Sequence, residues 1–190
     1  MTTVAPALTL TPADLTGDYV IDPTHSRIGF IARHAMVTKV RGSFNSFDGK
    51  AHLDFGNPPA SSAEISVEVA SVDTRQAQRD EHLRTNDFFD APTYPTINFA
   101  SSGVEQIDGD TFRLVGLLTI KDVTKPVTVD FEYTGAAKDP YGNIRVGFEG
   151  STTLNRSDYG VTFNTALETG GVLVSEKIKL EFDISAIKNA

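Results

Sequence analysis

The side chains that could do chemistry in this chain are few and widely spaced. It has four histidines, His25, His34, His52 and His82, and no cysteine. No two histidines form an H-x-x-x-H pair, and the lack of Cys excludes thiolate metal sites, disulfides and a Cys nucleophile. Asp80, Glu81 and His82 are adjacent, but charges on a polar helix are ordinarily just solvated, so no metal is expected. The G-x-S-x-G, H-E-x-x-H and glycine-rich phosphate-loop patterns are all missing, and no carboxylate falls in an obviously apolar run that would raise its pKa. No catalytic residue and no cofactor are assigned, and an enzyme is not expected. What remains is a polar set: Asp22, His25, Ser26, His34, Arg156 and Asp158. Arg156 can satisfy itself on Asp158, so the set reads as a hydrogen-bonded network pinning strand ends.

These residues must be positioned by strands. From Gly17 onward the chain alternates apolar and polar residues with period two, the mark of half-buried strands. Ile28, Phe30, Ala32 and His34 share one face, as do Ile65, Val67 and Val69. Phe112, Leu114, Gly116, Leu118 and Ile120 form another such face, followed by Val127, Val129, Phe131 and Tyr133. Ile144, Val146, Phe148, Thr152 and Leu154 continue the pattern. The last strand sets Val174, Ile178, Leu180, Phe182 and Ile184 against charged neighbours. Turn residues at Asn57-Pro58-Pro59, Asp108-Gly109-Asp110, Asp139-Pro140 and Gly170-Gly171 separate the runs, and short connections favour antiparallel neighbours. Asp73 to Thr85 lacks alternation. It predicts a short surface helix with Asp73 as N-cap, whose apolar members are Ala77 and Leu83.

Many one-sided strands must bury their apolar faces in a sandwich or a closed barrel. Periodicity does not choose between them, although a barrel removes exposed edges. Gly29, Gly42, Gly116, Gly147 and Gly150 suit bulges and barrel corners. Met1 to Thr16, rich in Thr, Ala and Pro, predicts a loose arm, and residues 17–190 a single all-β domain.

Composition narrows the partners. The net charge is −8, which repels phosphate backbones and argues against nucleic acid and against anionic membrane surfaces. No run approaches the ~18 apolar residues of a membrane span. The first residues carry no basic and apolar leader, so a cytoplasmic location is expected.

The motifs in order resemble the YceI-like, polyisoprenoid-binding family. The resemblance rests on Tyr19-Val-Ile-Asp22, His25-Ser26, Phe30, His34, Gly42-Ser-Phe44 and Phe47-Asp-Gly49. It continues through Ser71-Val-Asp-Thr74, Asp80-Glu-His82-Leu83, Asp87-Phe88-Phe89-Asp90, Tyr94-Pro95-Thr-Ile97-Asn-Phe99 and Gly116-Leu-Leu118-Thr119-Ile120. Val123-Thr124-Lys125-Pro126-Val127 and Arg156-Ser-Asp158-Tyr-Gly160 complete it. Each piece alone is weak, and together they span roughly Gly17 to Ile184. The resemblance implies a lipocalin-like extended antiparallel β-barrel with a short polar helix inserted. It also implies an apolar lumen holding an isoprenoid or similar amphiphilic lipid, of quinone or prenyl phosphate type, carried or stored.

The wall of such a lumen is then Phe30, Ala32, Ile65, Val67, Phe99, Leu114, Leu118, Val129, Phe131, Val146 and Phe148, with His34 where the lumen meets a polar end. Small residues at Ala32, Gly116 and Gly150 leave room. The polar set gains a second reading, a head-group clamp in which Arg and protonated His hold a diphosphate. Where the family has His-Gly this chain has Lys121-Asp122, which predicts a changed hairpin rather than a changed lumen. Two rival readings stay open: a structural or stress-response interaction barrel with a filled core, and an unrecognised enzyme on a prenyl lipid. A homodimer is also left open.

Overall fold

The structure, a computed structural model, describes residues 9–189. Its strands are β1 (Gly17–Ile21), β2 (Arg27–His34), β3 (Thr38–Phe44), β4 (Phe47–Leu53), β5 (Ser62–Glu68), β6 (Val72–Asp73), β7 (Thr96–Gln106), β8 (Thr111–Ile120), β9 (Val123–Lys138), β10 (Ile144–Asn155) and β11 (Lys177–Lys188). The order β1-β4-β5-β7-β8-β9-β10-β11 closes through a β1–β11 pairing into an eight-stranded antiparallel barrel. β2 continues the line of β1, β3 leads into β4, and β6 prolongs β5. The barrel therefore runs beyond the closed ring at one end, as an edge β2-β3-β6 attached to β11.

The break between β1 and β2 is built locally. Pro23–His25 forms a 3₁₀ turn, and the Asp22 carboxylate accepts the Thr24 N–H at 3.0 Å and its hydroxyl at 2.7 Å. A turn there interrupts the ladder to β11. The Ser26 hydroxyl replaces the missing rung, donating to Ser185 O at 3.1 Å and accepting the Ser185 N–H at 2.9 Å.

Residues 1–8 of the expected loose arm lie outside the described residues, and the described part is not loose. Thr11 and Asp14 make a capping box for α1 (Pro12–Leu15), with Pro12 pre-set for the first turn. Leu15 is buried against Tyr19, Val146 and Ala186. Tyr19 is fully buried, and its hydroxyl donates to Leu15 O at 2.6 Å. Burial pushes the Tyr19 phenol up to about 12. This cluster is a partial stopper at the end of the barrel where β1 begins: Leu53 and Phe55 pack on it yet stay only half-buried, so that end is narrowed rather than closed.

The helix α2 (Ala77–Arg84) starts later than its sequence suggests, because Asp73 is drawn into β6 opposite Ser43. Its acids are not all solvated either. Asp80 is buried and accepts both the N–H and the hydroxyl of Thr74, at 2.8 and 2.5 Å. At the β8–β9 hairpin, Lys121 and Asp122 both take positive φ, +51° and +64°. That is the tight two-residue pattern of a type I′ turn. It joins Ile120 directly to Val123 and leaves the inward face of β8 in register.

Candidate functional site

In a filled barrel, every inward side chain would be buried by its neighbours. Here many are not. Phe30, Ile65, Phe99, Leu114, Phe131, Phe148, Leu180, Phe182 and Ile184 point inward from mid-strand, yet each remains only half-buried. Their free surface faces an internal cavity of about 320 Å³ with an almost wholly apolar wall. That is within the range of ~300–1,000 Å³ typical of small-molecule sites. The interior is open rather than packed with side chains, which speaks against the rival filled-core reading.

The two ends of the cavity differ. Towards the β2–β3 end it is sealed by buried side chains: Phe88 from the segment after α2, and Tyr159, Val161 and Arg156 from the segment after β10. Towards the β4–β5 loop, Leu53, Phe55, Pro58 and Ala63 line it while only partly buried. The exposed residues along its wall are Lys50, Ser62 and Glu64, all on β4 and β5. The mouth is therefore on that side, beside a Lys50–Glu64 ion pair at 3.1 Å.

Of the residues expected to form the wall, Phe30, Ala32, Ile65, Val67, Phe99, Leu114, Leu118, Val129, Phe131 and Phe148 line the cavity. Val146 does not. It faces inward but lies in the stopper with Leu15 and Tyr19. His34 does not either. β2 overruns the ring, so His34 is exposed at the tip, paired with Thr38 and bridged to Val174. Glycines on the wall do not leave empty space as expected. The Phe30 ring lies over Gly42, its cross-strand partner, and the Phe131 ring over Gly150. A missing Cβ lets each ring lie flat against the sheet, which keeps the axis of the lumen clear. Gly42→Ala is expected to keep the fold, because the atoms nearest the added carbon all belong to the movable Phe30 ring. It should swing that ring into the lumen and lower lipid capacity, read as weaker uptake by native mass spectrometry at a similar melting temperature.

Several further residues line the wall that alternation in the sequence does not single out. Leu83, Phe88 and Phe89 close the sealed end, and Val104 and Ile21 line the flank. Leu83 was legible as an apolar residue on an otherwise polar helix. Val104 was not, because a bulge at Ser101–Gly103 shifts the inward face of β7 by one residue.

The polar set is scattered rather than gathered into a clamp. Asp22, His25 and Ser26 sit at the β1–β2 break. Arg156 is buried at the sealed end, and Asp158 is exposed. Arg156 does not pair with Asp158. Its guanidinium donates to Ser175 O at 2.8 Å, Val161 O at 2.8 Å and Val174 O at 3.4 Å, and burial lowers its pKa. Among the described residues no three His, Asp or Glu side chains form a metal-binding group. His25, His52 and His82 each contact one aspartate, Asp22, Asp18 and Asp87, at 2.7–2.8 Å.

Asp22 also ties the strand break to the β9–β10 hairpin. Arg145 bridges Asp22 at 2.7 Å and Asp139 at 2.9 Å. Hydrogen bonds from Arg145 and then Thr24 hold the Asp22 carboxyl well below the usual range. At Asp139 burial pushes upward, but bonds from Arg145 and Asn143 outweigh it and the carboxyl settles at about 2. Both pKa values are depressed by folding, so the unfolded chain takes up protons first as pH falls. The bridge thus contributes fully above the unfolded value of 3.8 and is lost as pH drops towards 2 and below. Arg145→Gln should lower urea stability at pH 7, and the gap to the parent protein should narrow as pH falls below 3.8 and be only partly closed at pH 2.

Residues 19–186 match the YceI-like domain. The chain belongs to the YceI-like family. A UPF0312 protein of Azotobacter vinelandii is 39% identical over 149 residues, covering 77% of this chain and 78% of its own length. The YceI-like barrel also superposes on Burkholderia cenocepacia BcnA with a TM-score of 0.77 at 24% identity, over 87% of this chain and 98% of that one. A polyisoprenoid binding domain from Saccharophagus degradans, implicated in plant cell wall breakdown, matches with a TM-score of 0.68 at 14% identity, over 90% and 98%. At those identities the two structures speak for the fold alone.

Proposed function

We propose that this chain binds an isoprenoid or similar amphiphilic lipid, of quinone or prenyl phosphate type, with its tail in the barrel lumen, and that it carries or stores this lipid without transforming it. The observation that supports this most is the ring of inward phenylalanine, leucine and isoleucine side chains whose free surface faces an apolar cavity. Water gains little there and a hydrocarbon tail gains much, ~0.8 kcal/mol for each buried CH₂. The ionisable groups along the wall are Lys50, Asp54 and Glu64 on the mouth side, and Arg156 and Tyr159 at the sealed end. Arg156 is already occupied by carbonyls, so a polar head belongs at the mouth and the tail is recognised by length and bulk. Membership of the YceI-like family and the fold shared with a polyisoprenoid binding domain favour the same reading.

Native mass spectrometry of delipidated protein with a series of prenyl quinones and prenyl phosphates tests it. One ligand per chain is expected, with affinity rising about fourfold per added buried methylene until the lumen is full. No uptake, or affinity indifferent to tail length, would refute the proposal. Recovery of a chemically altered lipid would point instead to an enzyme.

A further inference from the structure

The barrel extension formed by β2 and β3 ends in an apolar tip. Met36 and Val37 in the hairpin turn are 58% and 76% exposed, and Val172 is 36% exposed. Two loops make this tip together. Ala35 N–H donates to Leu173 O at 2.8 Å, His34 bridges Val174, and Met36 lies against Gly171. Ala35 and Met36 both hold positive φ, +51° and +66°, the left-handed region that a residue with a Cβ rarely adopts.

Behind the tip the outer surface is cationic. Arg33 and Lys39 are direct cross-strand partners, and Lys179, Ile31 and Arg41 stand in one row across β11, β2 and β3. Like charges set opposite each other weaken a strand pair. Even so, among the described residues Arg33, Lys39 and Arg41 form no ion pair within 4.0 Å. Lys179 shares Glu181 with Arg27, at 3.6 and 3.8 Å. Of the acids on the adjoining segment, Glu176 is held by the Ser157 N–H and hydroxyl, and Glu168, on the loop that carries Val172, is exposed. Arg33 donates to Val37 O at 3.3 Å and so helps close the hairpin, but in a chain of net charge −8 no carboxylate among the described residues pairs with these three cations beside the apolar tip.

We propose that this end of the barrel docks on an anionic bilayer surface. The side chains of Met36, Val37 and Val172 enter the head-group region, and Arg33, Lys39 and Arg41 meet lipid phosphates. The two signals fit one occupant, because shallow insertion and electrostatic attraction act together at such a surface. An acidic protein or a nucleic acid would answer the cations and leave the tip in water. The net charge alone argues against this surface, but attraction near a membrane is set within a Debye length, ~8 Å at physiological salt, and so by the local cluster. The mouth lies at the other end of the barrel. Docking therefore does not rest on the lumen's contents and is expected with the lumen full or empty.

Co-sedimentation with vesicles tests it, using equal parts phosphatidylcholine and phosphatidylglycerol against phosphatidylcholine alone. The protein should pellet with the anionic vesicles, and high salt should release it. Each basic residue near such a surface is worth roughly fivefold in affinity, so R33Q/K39Q/R41Q should bind on the order of a hundredfold more weakly. M36N/V37S should also weaken binding, while both variants keep the parent circular dichroism spectrum and lumen ligand. Equal sedimentation with both vesicle types, or parental binding by the triple variant, would overturn the proposal. So would duplex DNA or an acidic polypeptide binding as tightly and indifferently to M36N/V37S. An empty lumen in the parent protein would count against lipid carriage but leave the docking result standing.

Discussion

Phe148→Arg should give a folded barrel that no longer takes up lipid. Phe148 lines the cavity and is only half-buried. Its ring meets Phe112 and Phe131 edge-on, with centroids 6.5 Å apart in each case, and Tyr133 at 5.5 Å. Losing those contacts costs ~0.5–1.5 kcal/mol each, which a domain stable by ~5–15 kcal/mol can survive. In a filled core an unpaired guanidinium would add a desolvation penalty beyond that reserve. In an open lumen the long side chain can run along the axis towards water, so the charge is tolerated while a hydrocarbon tail is excluded. Phe148→Leu should keep both fold and lipid. Native mass spectrometry with a prenyl quinone, beside a thermal melt, reads the result. An insoluble Phe148→Arg would mean the cavity does not admit water or ligand. A folded variant with full uptake would mean the tail does not pass this point.

The second large effect is expected at Arg156. Three backbone carbonyls from the segment after β10 converge on its guanidinium. Arg156→Met preserves much of the side-chain volume but strands Ser175 O and Val161 O in an apolar setting, at ~1–3 kcal/mol for each, while Val174 O keeps the Asn164 amide at 2.8 Å. A loss of about 3 kcal/mol or more in urea denaturation should follow. Amide exchange should quicken between Val161 and Ser175 before it quickens in the barrel strands. Arg156→Lys should rescue little, since a single ammonium cannot reproduce the planar fork that reaches several carbonyls. If Arg156→Met instead keeps full stability and changes only which lipid head groups are accepted, the residue is a ligand contact and not a loop anchor.

What alternation reveals is which face a residue takes, and on that count the strands were legible. Phe30, Ile65, Phe131 and Phe148 all face the lumen. What it does not carry is height along the barrel. Val146 takes the inward face yet sits in the stopper, because Leu15 and Tyr19 reach it from the chain's beginning. His34 takes the same face as Phe30 but stands past the ring, where β2 has lost its closing partner. Bulges hide faces altogether. Between Tyr133 and Gly135 the strand β9 carries one extra residue opposite the Gly147–Phe148 step, with Gly135 at a φ of +128° that favours glycine. This lets both Tyr133 and Ala136 pack on the stopper side. Polar partners were the least legible. Adjacency suggested Asp158 for Arg156, whereas burial selected carbonyls brought in by the fold, and Asp80 turned inward because the Thr74 N–H and hydroxyl needed an acceptor.

The central claim is that the lumen holds a lipid tail. Gently purified protein, extracted into organic solvent and examined by mass spectrometry, tests it most directly. The account predicts a long-chain prenyl or acyl lipid in near-stoichiometric amount, present in the parent and missing from Phe148→Arg. Bare polypeptide in native spectra, no lipid in the extract and no uptake of added quinone would together contradict it.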